Sequence, residues 1–496
     1  MIRPRYFAFS ASQFWLPLLI LALFGVYYGM ITFVNHAQFR TFAFDLGYYN
    51  HAVYEFGHFR LGKHVLENSV YWHTWGDHFE PILILFGPLV YIFDDLTMLV
   101  VQLAAVLIGG IGILRYFQHR SDDQWLPVIA MAQFLSIWGI TSALAVDFHT
   151  VVVGAMIVPW MLLYYENGKR LMFMFMVLLF VGCGEKVSAW GLFIFLGLAL
   201  LHLRERRKLI WALSSMAFCL AWTIVAIKWV MPIFVRDGHE YRHFLFHIMG
   251  ENNAEVIKNM VTQPGKAFRL LYESHLPEWP LIPNIKVELW KMIALSGGIA
   301  LLRRPQYFIM LSIIVLAKVY NDQSVRWGIN AHYSVEFAPI LCIALYEWVK
   351  DIRLRPWRRT LAFFFFLVTI VSTYVSLSTR YKWDYRPENT NIFDTLHWEQ
   401  PKLDVRELQH AVSLVPPDVP VTASDRLVPH IPLREKIYMF PTVLDAEYVL
   451  IQLLVDTYPL SPAKAVERKE QMVSSGEWDL VWEAPAVAVL RRHKPH

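Results

Sequence analysis

Apolar runs of about twenty residues recur along the whole chain, and no water-soluble fold accommodates them in such number. A helix needs roughly 20 apolar residues, with a range of about 17–25, to cross the hydrocarbon core of a bilayer. Eleven runs approach or meet that length, at 14–34, 96–117, 125–145, 150–165, 171–183, 187–203, 209–233, 288–302, 306–320, 334–349 and 360–378. They leave little room for charge: 56% of the 496 residues are hydrophobic and only 17% are charged, against about 25% charged in an ordinary soluble domain. A soluble enzyme, a disordered chain and a fibrous one are thereby excluded, and the fold class expected is an α-helical polytopic membrane protein. The net charge of +4 gives no sign of a nucleic-acid partner. Cys183, Cys219 and Cys342 lie inside apolar runs without metal-ligand spacing, so they read as small core residues rather than a disulfide framework.

Lysine and arginine set the orientation. With a cytoplasmic N-terminus, the inner segments collect Arg3, Arg5, Lys169-Arg170, the run Arg204–Lys208, Arg303-Arg304 and the cluster from Lys350 to Arg359. The short outer loops 146–149, 184–186 and 321–333 carry only Lys186 and Arg326. That asymmetry follows the positive-inside rule and places the chain in the plasma membrane with its C-terminus outside. The first run is too long for a signal h-region and reads as an uncleaved anchor. Residues 81–93 are apolar but short, with Pro81 and a Gly87-Pro88 break. Counting them as a span would invert the charge pattern downstream, so they are expected to lie at the outer face as an interfacial or re-entrant helix.

Two regions are therefore expected. Residues 1–380 form a transmembrane domain whose first outer loop is 35–95. Residues 381–496 have no spanning run and form a small extracytoplasmic α/β domain, with 381–402 as a linker, short strands in VPVTAS, KIYMF, AEYVLIQLL, DLVWEA and VAVLRR, and helices at 403–413 and 462–475.

This topology gathers the unusual polar residues on one side. The first outer loop holds Asp45 in FDLGYYNH and Asp77 and His78 in WGDHFEP; later outer turns hold Asp147 and His149, then Glu185 and Lys186, then Arg326, His332 and Tyr333. Ionisable groups at membrane depth are costly and usually line a functional cavity. A carboxylate there can act as general base, and a lysine or arginine can neutralise a departing phosphate. Paired Asp and His can also hold a divalent metal. Bland readings stand beside these. Asp45 can cap the helix beginning near Leu46, Asp77-His78 can cap the 81–93 helix, Asp147 and His149 can be interface loop residues, and Glu185-Lys186 can be a turn between spans. His36, His51, His58, His64, His73 and His78 crowd the first outer loop, with His51 and His58 seven residues apart on one helical face, yet no HxxxH or HExxH pattern marks a zinc site. The run RERRK reads as a topology signal, and the Gly pairs 109–110 and 297–298 as sites of close helix packing.

The ordered set FDLG, GDHFEPIL, DFHT, GEK and HYSVEFAPIL, followed by VTASDRLVPHI, KIYMF and AEYVL, resembles a family of predicted prokaryotic membrane proteins of unknown function within the GT-C glycosyltransferase superfamily. The resemblance spans most of the chain. It implies a polyprenyl-phosphate-linked sugar donor, a lipid, glycan or protein acceptor, inversion at the anomeric carbon, and an acid of the first outer loop at the catalytic centre. Asp45 matches that acid. Lys186 or Arg326 would hold the leaving phosphate, with Asp77, His78, Asp147, His149, Glu185, His332 and Tyr333 around donor and acceptor. The superfamily's metal-dependent branch carries a DxD motif; here Asp94 and Asp95 are adjacent instead, so a divalent metal stays possible and no cofactor is assigned. A transporter or lipid flippase is the alternative, and a noncatalytic partner whose outer domain is the binding module comes third. Transporters usually show internal repeats and midplane sites, and neither is visible here.

Overall fold

The computed structural model describes residues 11–61, 66, 73–236, 244–276, 285–379 and 386–493, with the side chains of 11–14 excepted. Arg3, Arg5 and His64 lie outside these residues. Each of the eleven apolar runs carries helix. The first forms Ala11–Ala37, and the second Thr97–Arg120. The third is bent by 44° between Leu126–Leu135 and Trp138–Leu144. Then follow Thr150–Glu166, Arg170–Val181, Glu185–Leu201 and Arg206–Val225. The eighth run is broken: Ile285–Ile293 gives way to a wider turn, in which Gly297 takes φ +94°, before Ala300–Arg303. Gly297 therefore ends a helix instead of merely letting two helices approach. Pro305–Val319, Phe337–Val349 and Arg355–Ser378 complete the set.

Four helices, or five if the bent pair is one span, are long and apolar enough to cross a membrane. The eleven-span count is thus not established by length and composition. What supports a bilayer setting is where the apolar side chains point. Leu19, Leu23, Phe175, Leu178, Phe363, Phe364 and Val371 are exposed on their helices, and lipid, unlike water, imposes no cost on such faces. Inside, Trp138, Trp190, Phe117, Phe134, Phe180 and Phe195 are fully buried. Gly109 and Gly110 sit against Met156 and Leu135, the close packing expected of small residues. The three cysteines are buried and free.

Residues 81–93 form a 3-10 helix, Pro81–Leu89, and a short α-helix, Val90–Phe93, stopped by Asp94 at φ +52°. Beyond 386, the two helices Val405–Ser413 and Pro462–Ser474 accompany a five-stranded sheet of β1 Val421–Ala423, β2 Ile437–Met439, β3 Tyr448–Gln452, β4 Trp478–Ala484 and β5 Val487–Arg492, in the order β2-β1-β3-β5-β4. β1 is parallel to β2 and β3; β5 is antiparallel to β3 and β4. Alternation assigns the two faces. Val449, Ile451, Ala488 and Leu490 pack with Ala465 and Met472 of the Pro462–Ser474 helix. Leu450, Val487 and Val489 turn the other way, into the core shared with the membrane helices.

The expected linker is not slack. The Arg40 guanidinium, nearly buried beyond the first helix, donates to the carbonyls of Glu388, Leu396, His397 and Glu399 at 2.5–3.3 Å. A rigid fork of five N–H donors suits that cage.

Candidate functional site

The FDLG segment forms a single π-helical turn, Ala43–Gly47, leading into the Tyr48–Gly57 helix. Such turns are rare and cluster at functional sites. Asp45 lies within the turn and caps nothing: Gly47 holds the N-cap position, and no side-chain cap bond forms there. Two other acids shape the turn. Asp147 Oδ2 accepts the backbone N–H groups of Phe42 and Leu46 at 2.7 and 3.1 Å, and Asp425 Oδ1 accepts that of Ala43 at 2.8 Å. With its backbone held from both sides, Asp45 keeps a partly exposed carboxylate whose Oδ1 lies 3.3 Å from His149 Nε2.

From His149 a chain of contacts runs across the site. Its ring stacks on His332 at 3.4 Å, and His332 lies 4.0 Å from the Tyr333 ring. The Arg326 guanidinium sits 4.8 Å over Tyr333, and Lys318 Nζ donates to the Tyr333 carbonyl at 2.8 Å. The second group centres on His78. Its Nδ1 is 2.7 Å from Glu185 Oε1, Lys186 Nζ is 3.2 Å from its Nε2, and Asp77 is at 4.0 Å. Lys186 as donor requires Nε2 to accept, so Nδ1 carries the proton toward Glu185. Glu185 also accepts the Phe79 N–H at 3.2 Å. Gly184 makes this approach possible: at φ +119° it turns the chain, and a Cβ there would stand 3.3 Å from Glu80 Cγ.

Electrostatics joins the two groups. Burial, then His149, Arg326, Lys186 and Lys318, hold His332 well below the ordinary histidine range. His332 thus feels the charge of basic groups drawn from several segments. Burial, then the Asp45 charge, push the Asp147 carboxyl well above its usual range, against the two N–H donors. Burial lifts Glu80 to about 7, opposed by His78 and by the hydroxyl of Thr150.

All ten expected residues therefore fall at one end of the helical bundle. Asp45, His149, His332, Tyr333 and Arg326 form one line, and Asp77, His78, Glu185 and Lys186 form the other; Asp147 lies behind the turn as its support. Sequence reasoning passed over Glu80, Tyr49, Thr150 and Gln102. Glu80 takes hydrogen bonds from Tyr49 at 3.3 Å and from Thr150. Gln102 clamps both sides of Phe148, donating to the Asp147 carbonyl at 3.1 Å and accepting the His149 N–H at 2.9 Å. A glutamine inside an apolar helix was the available signal. The histidine pairing was misjudged: His51 is buried, whereas His58 follows the helix end and is exposed.

A family model described as predicted membrane protein (DUF2079) matches residues 35–481. No curated protein sequence matches the chain. Among solved structures, the crystal structure of ArnT from Cupriavidus metallidurans bound to undecaprenyl phosphate is similar, with a TM-score of 0.54 over 97% of this chain and 98% of that one. The two share 10% sequence identity, so the likeness is one of fold.

Proposed function

The chain belongs to the DUF2079 family of predicted membrane proteins, and from that premise we propose that it is an integral-membrane glycosyltransferase of the GT-C type. It takes sugar from a polyprenyl-phosphate carrier and delivers it to a lipid, glycan or protein acceptor at the outer face of the plasma membrane. The observation that carries this reading is the single-ended site: the partly exposed Asp45 carboxylate beside His149, with Lys186 and Arg326 within electrostatic reach of the same His332. The neighbour's undecaprenyl phosphate supports a lipid-phosphate donor on a fold of this kind.

The chemistry then runs as one displacement. An acceptor hydroxyl gives its proton to Asp45, and its oxygen attacks the anomeric carbon from the face opposite the phosphate. The carbon–oxygen bond to phosphate breaks, inverting the carbon. The lipid phosphate leaves with the electron pair and one more negative charge, which Lys186 and Arg326 neutralise. His149, stacked on His332, orients the carboxylate. The outer orientation follows from the lysine and arginine distribution.

The test is transfer of labelled sugar from synthetic polyprenyl-phosphate donors by the full chain in lipid nanodiscs. Asp45→Asn and Lys186→Ala should each depress transfer while leaving the protein monodisperse. Unchanged transfer in both variants sinks the reading.

A further inference from the structure

A second cluster of ligand-type side chains lies apart from the Asp45 line. His36 lies in the last turn of the first helix, Asp95 precedes the Thr97–Arg120 helix, and His430 ends the short Val428–His430 turn next to the sheet. These positions are remote in sequence, yet one nitrogen of each imidazole and one Asp95 oxygen lie within 4.8 Å of one another. His36 Nε2 is 3.3 Å from Asp95 Oδ2. Ligands at about 2.0–2.2 Å from a tetrahedral zinc ion stand about 3.4 Å apart, so that pair already has the required spacing. The His36 and His430 rings are stacked at 4.1 Å, and both point a nitrogen at one ion once one ring turns out of the stack.

The surroundings hold each group in place. Thr41 Oγ1 meets His36 Nδ1 at 3.0 Å, the outer hydrogen bond that fixes the tautomer of a ligating imidazole. Asn50, fully buried, donates to the Asp95 carbonyl at 2.5 Å. Phe39, strained at φ +52°, covers His430 at 3.9 Å. Among the described residues the Nε2 atom of His430 is buried without a hydrogen-bond partner, which a folded protein rarely leaves uncompensated.

We propose that His36, Asp95 and His430 form a zinc site that pins the C-terminal sheet region to the ends of two membrane helices, with water filling the remaining position. Two imidazoles and a carboxylate are a borderline donor set, suited to Zn(II) above calcium or magnesium. The role is positional. The 428–430 turn packs on the 43–47 turn that carries Asp45, and the Asp425 contact to Ala43 belongs to the same stretch. An ion there would fix how the outer region sits on the site without touching substrate.

The proposal is tested by metal binding, independently of any transfer assay. The full chain, purified in detergent through a histidine-free tag and stripped with EDTA, is titrated with zinc chloride and analysed by mass spectrometry of the metal. One equivalent per chain is expected. His430→Gln and Asp95→Asn should abolish uptake at equimolar zinc, Thr41→Val should weaken it about tenfold, and His58→Ala should leave it unchanged. X-ray absorption of the zinc-loaded wild type, which needs no variant to fold, should show two imidazoles in the first shell. A wild-type chain that takes up no zinc overturns the proposal, as does a shell without histidine or full uptake by the His430→Gln and Asp95→Asn variants.

Discussion

The same helices carry charge at both ends, and the two ends are built on opposite principles. Thr150–Glu166 has His149 before it and Glu166 as its last residue; Glu185–Leu201 starts with Glu185 and is followed by His202. At the far end the charges cancel within one network. Glu166 receives His202 and Lys208 at 2.8 Å and Arg120 at 3.2 Å; Glu347 receives Arg120 Nε at 2.5 Å and Nη2 at 3.1 Å. At the Asp45 end the groups are brought together and left incomplete. Asp147 Oδ1, His149 Nδ1 and His332 Nδ1 are buried without partners among the described residues, and basic groups of several segments act on the same His332. A saturated network holds helices in place; an unsaturated one is ready for a ligand that supplies the missing partners.

The largest effect expected from this contrast is catalytic. Asp45→Asn keeps the shape of the side chain and removes the base, so transfer should fall about 10²- to 10⁴-fold with the thermal midpoint unchanged. A variant with near-normal turnover would show that the partly exposed acid is incidental. The converse experiment comes next. Arg120→Ala removes the guanidinium that bridges two nearly buried carboxylates, leaving Glu166 with His202 and Lys208 and Glu347 with Lys350, and should cost about 2 kcal/mol of stability, read as a lowered midpoint in thermal unfolding in detergent. Whatever fraction stays folded should transfer sugar at the normal rate. A loss of turnover per folded molecule would erase the distinction between the two ends.

How far the sequence reveals this contrast depends on the kind of interaction. Helices in the apolar runs, the strands and the two helices Val405–Ser413 and Pro462–Ser474 follow from periodicity, which is local, and they fall within a few residues of the expected ranges, except that the eighth run is broken at Gly297. The polar phrases GDHFEP, DFHT and GEK stand out because apolar runs surround them. The far-end network did not stand out. RERRK carries the sign expected of inner loops, so Lys208 looked like a topology signal, and only packing shows it bound to Glu166. The Arg40 cage was equally hidden, because its acceptors are backbone carbonyls that any residue could supply. Asp45 as a helix cap failed for a local reason: the chain takes a π turn there, and its N–H groups are claimed by Asp147 and Asp425.

Lys186→Ala offers a smaller and more selective test. If Lys186 meets the donor phosphate, its loss should raise KM for the lipid-linked sugar about tenfold and spare folding, because the ammonium is exposed and its bond to His78 is replaceable by water. An unchanged KM with lowered turnover would move its role from the bound donor to the departing phosphate alone.

The smallest effect asks whether the incomplete end carries a measurable cost. Burial raises the Asp425 carboxyl from 3.8 to about 6, against the hydrogen bond from Ala43 and the nearby Arg426. The folded chain therefore holds this proton more tightly than the unfolded one. Well below pH 3.8 both states are protonated and the contribution is fully present. As pH rises from 4 to 6 the unfolded chain releases its proton first, and stability is lost, by about 3 kcal/mol at most. Asp425→Asn keeps the acceptor for the Ala43 N–H and cannot ionise. Relative to wild type, the variant should gain about 1–2 kcal/mol between pH 4.5 and pH 7, measured as the difference in thermal midpoints, which cancels the titration of Glu80 and Asp147 common to both proteins. A variant that tracks wild type across that range would mean that Asp425 is solvated well enough to ionise freely, and that the Asp45 turn is held without the strain its surroundings imply.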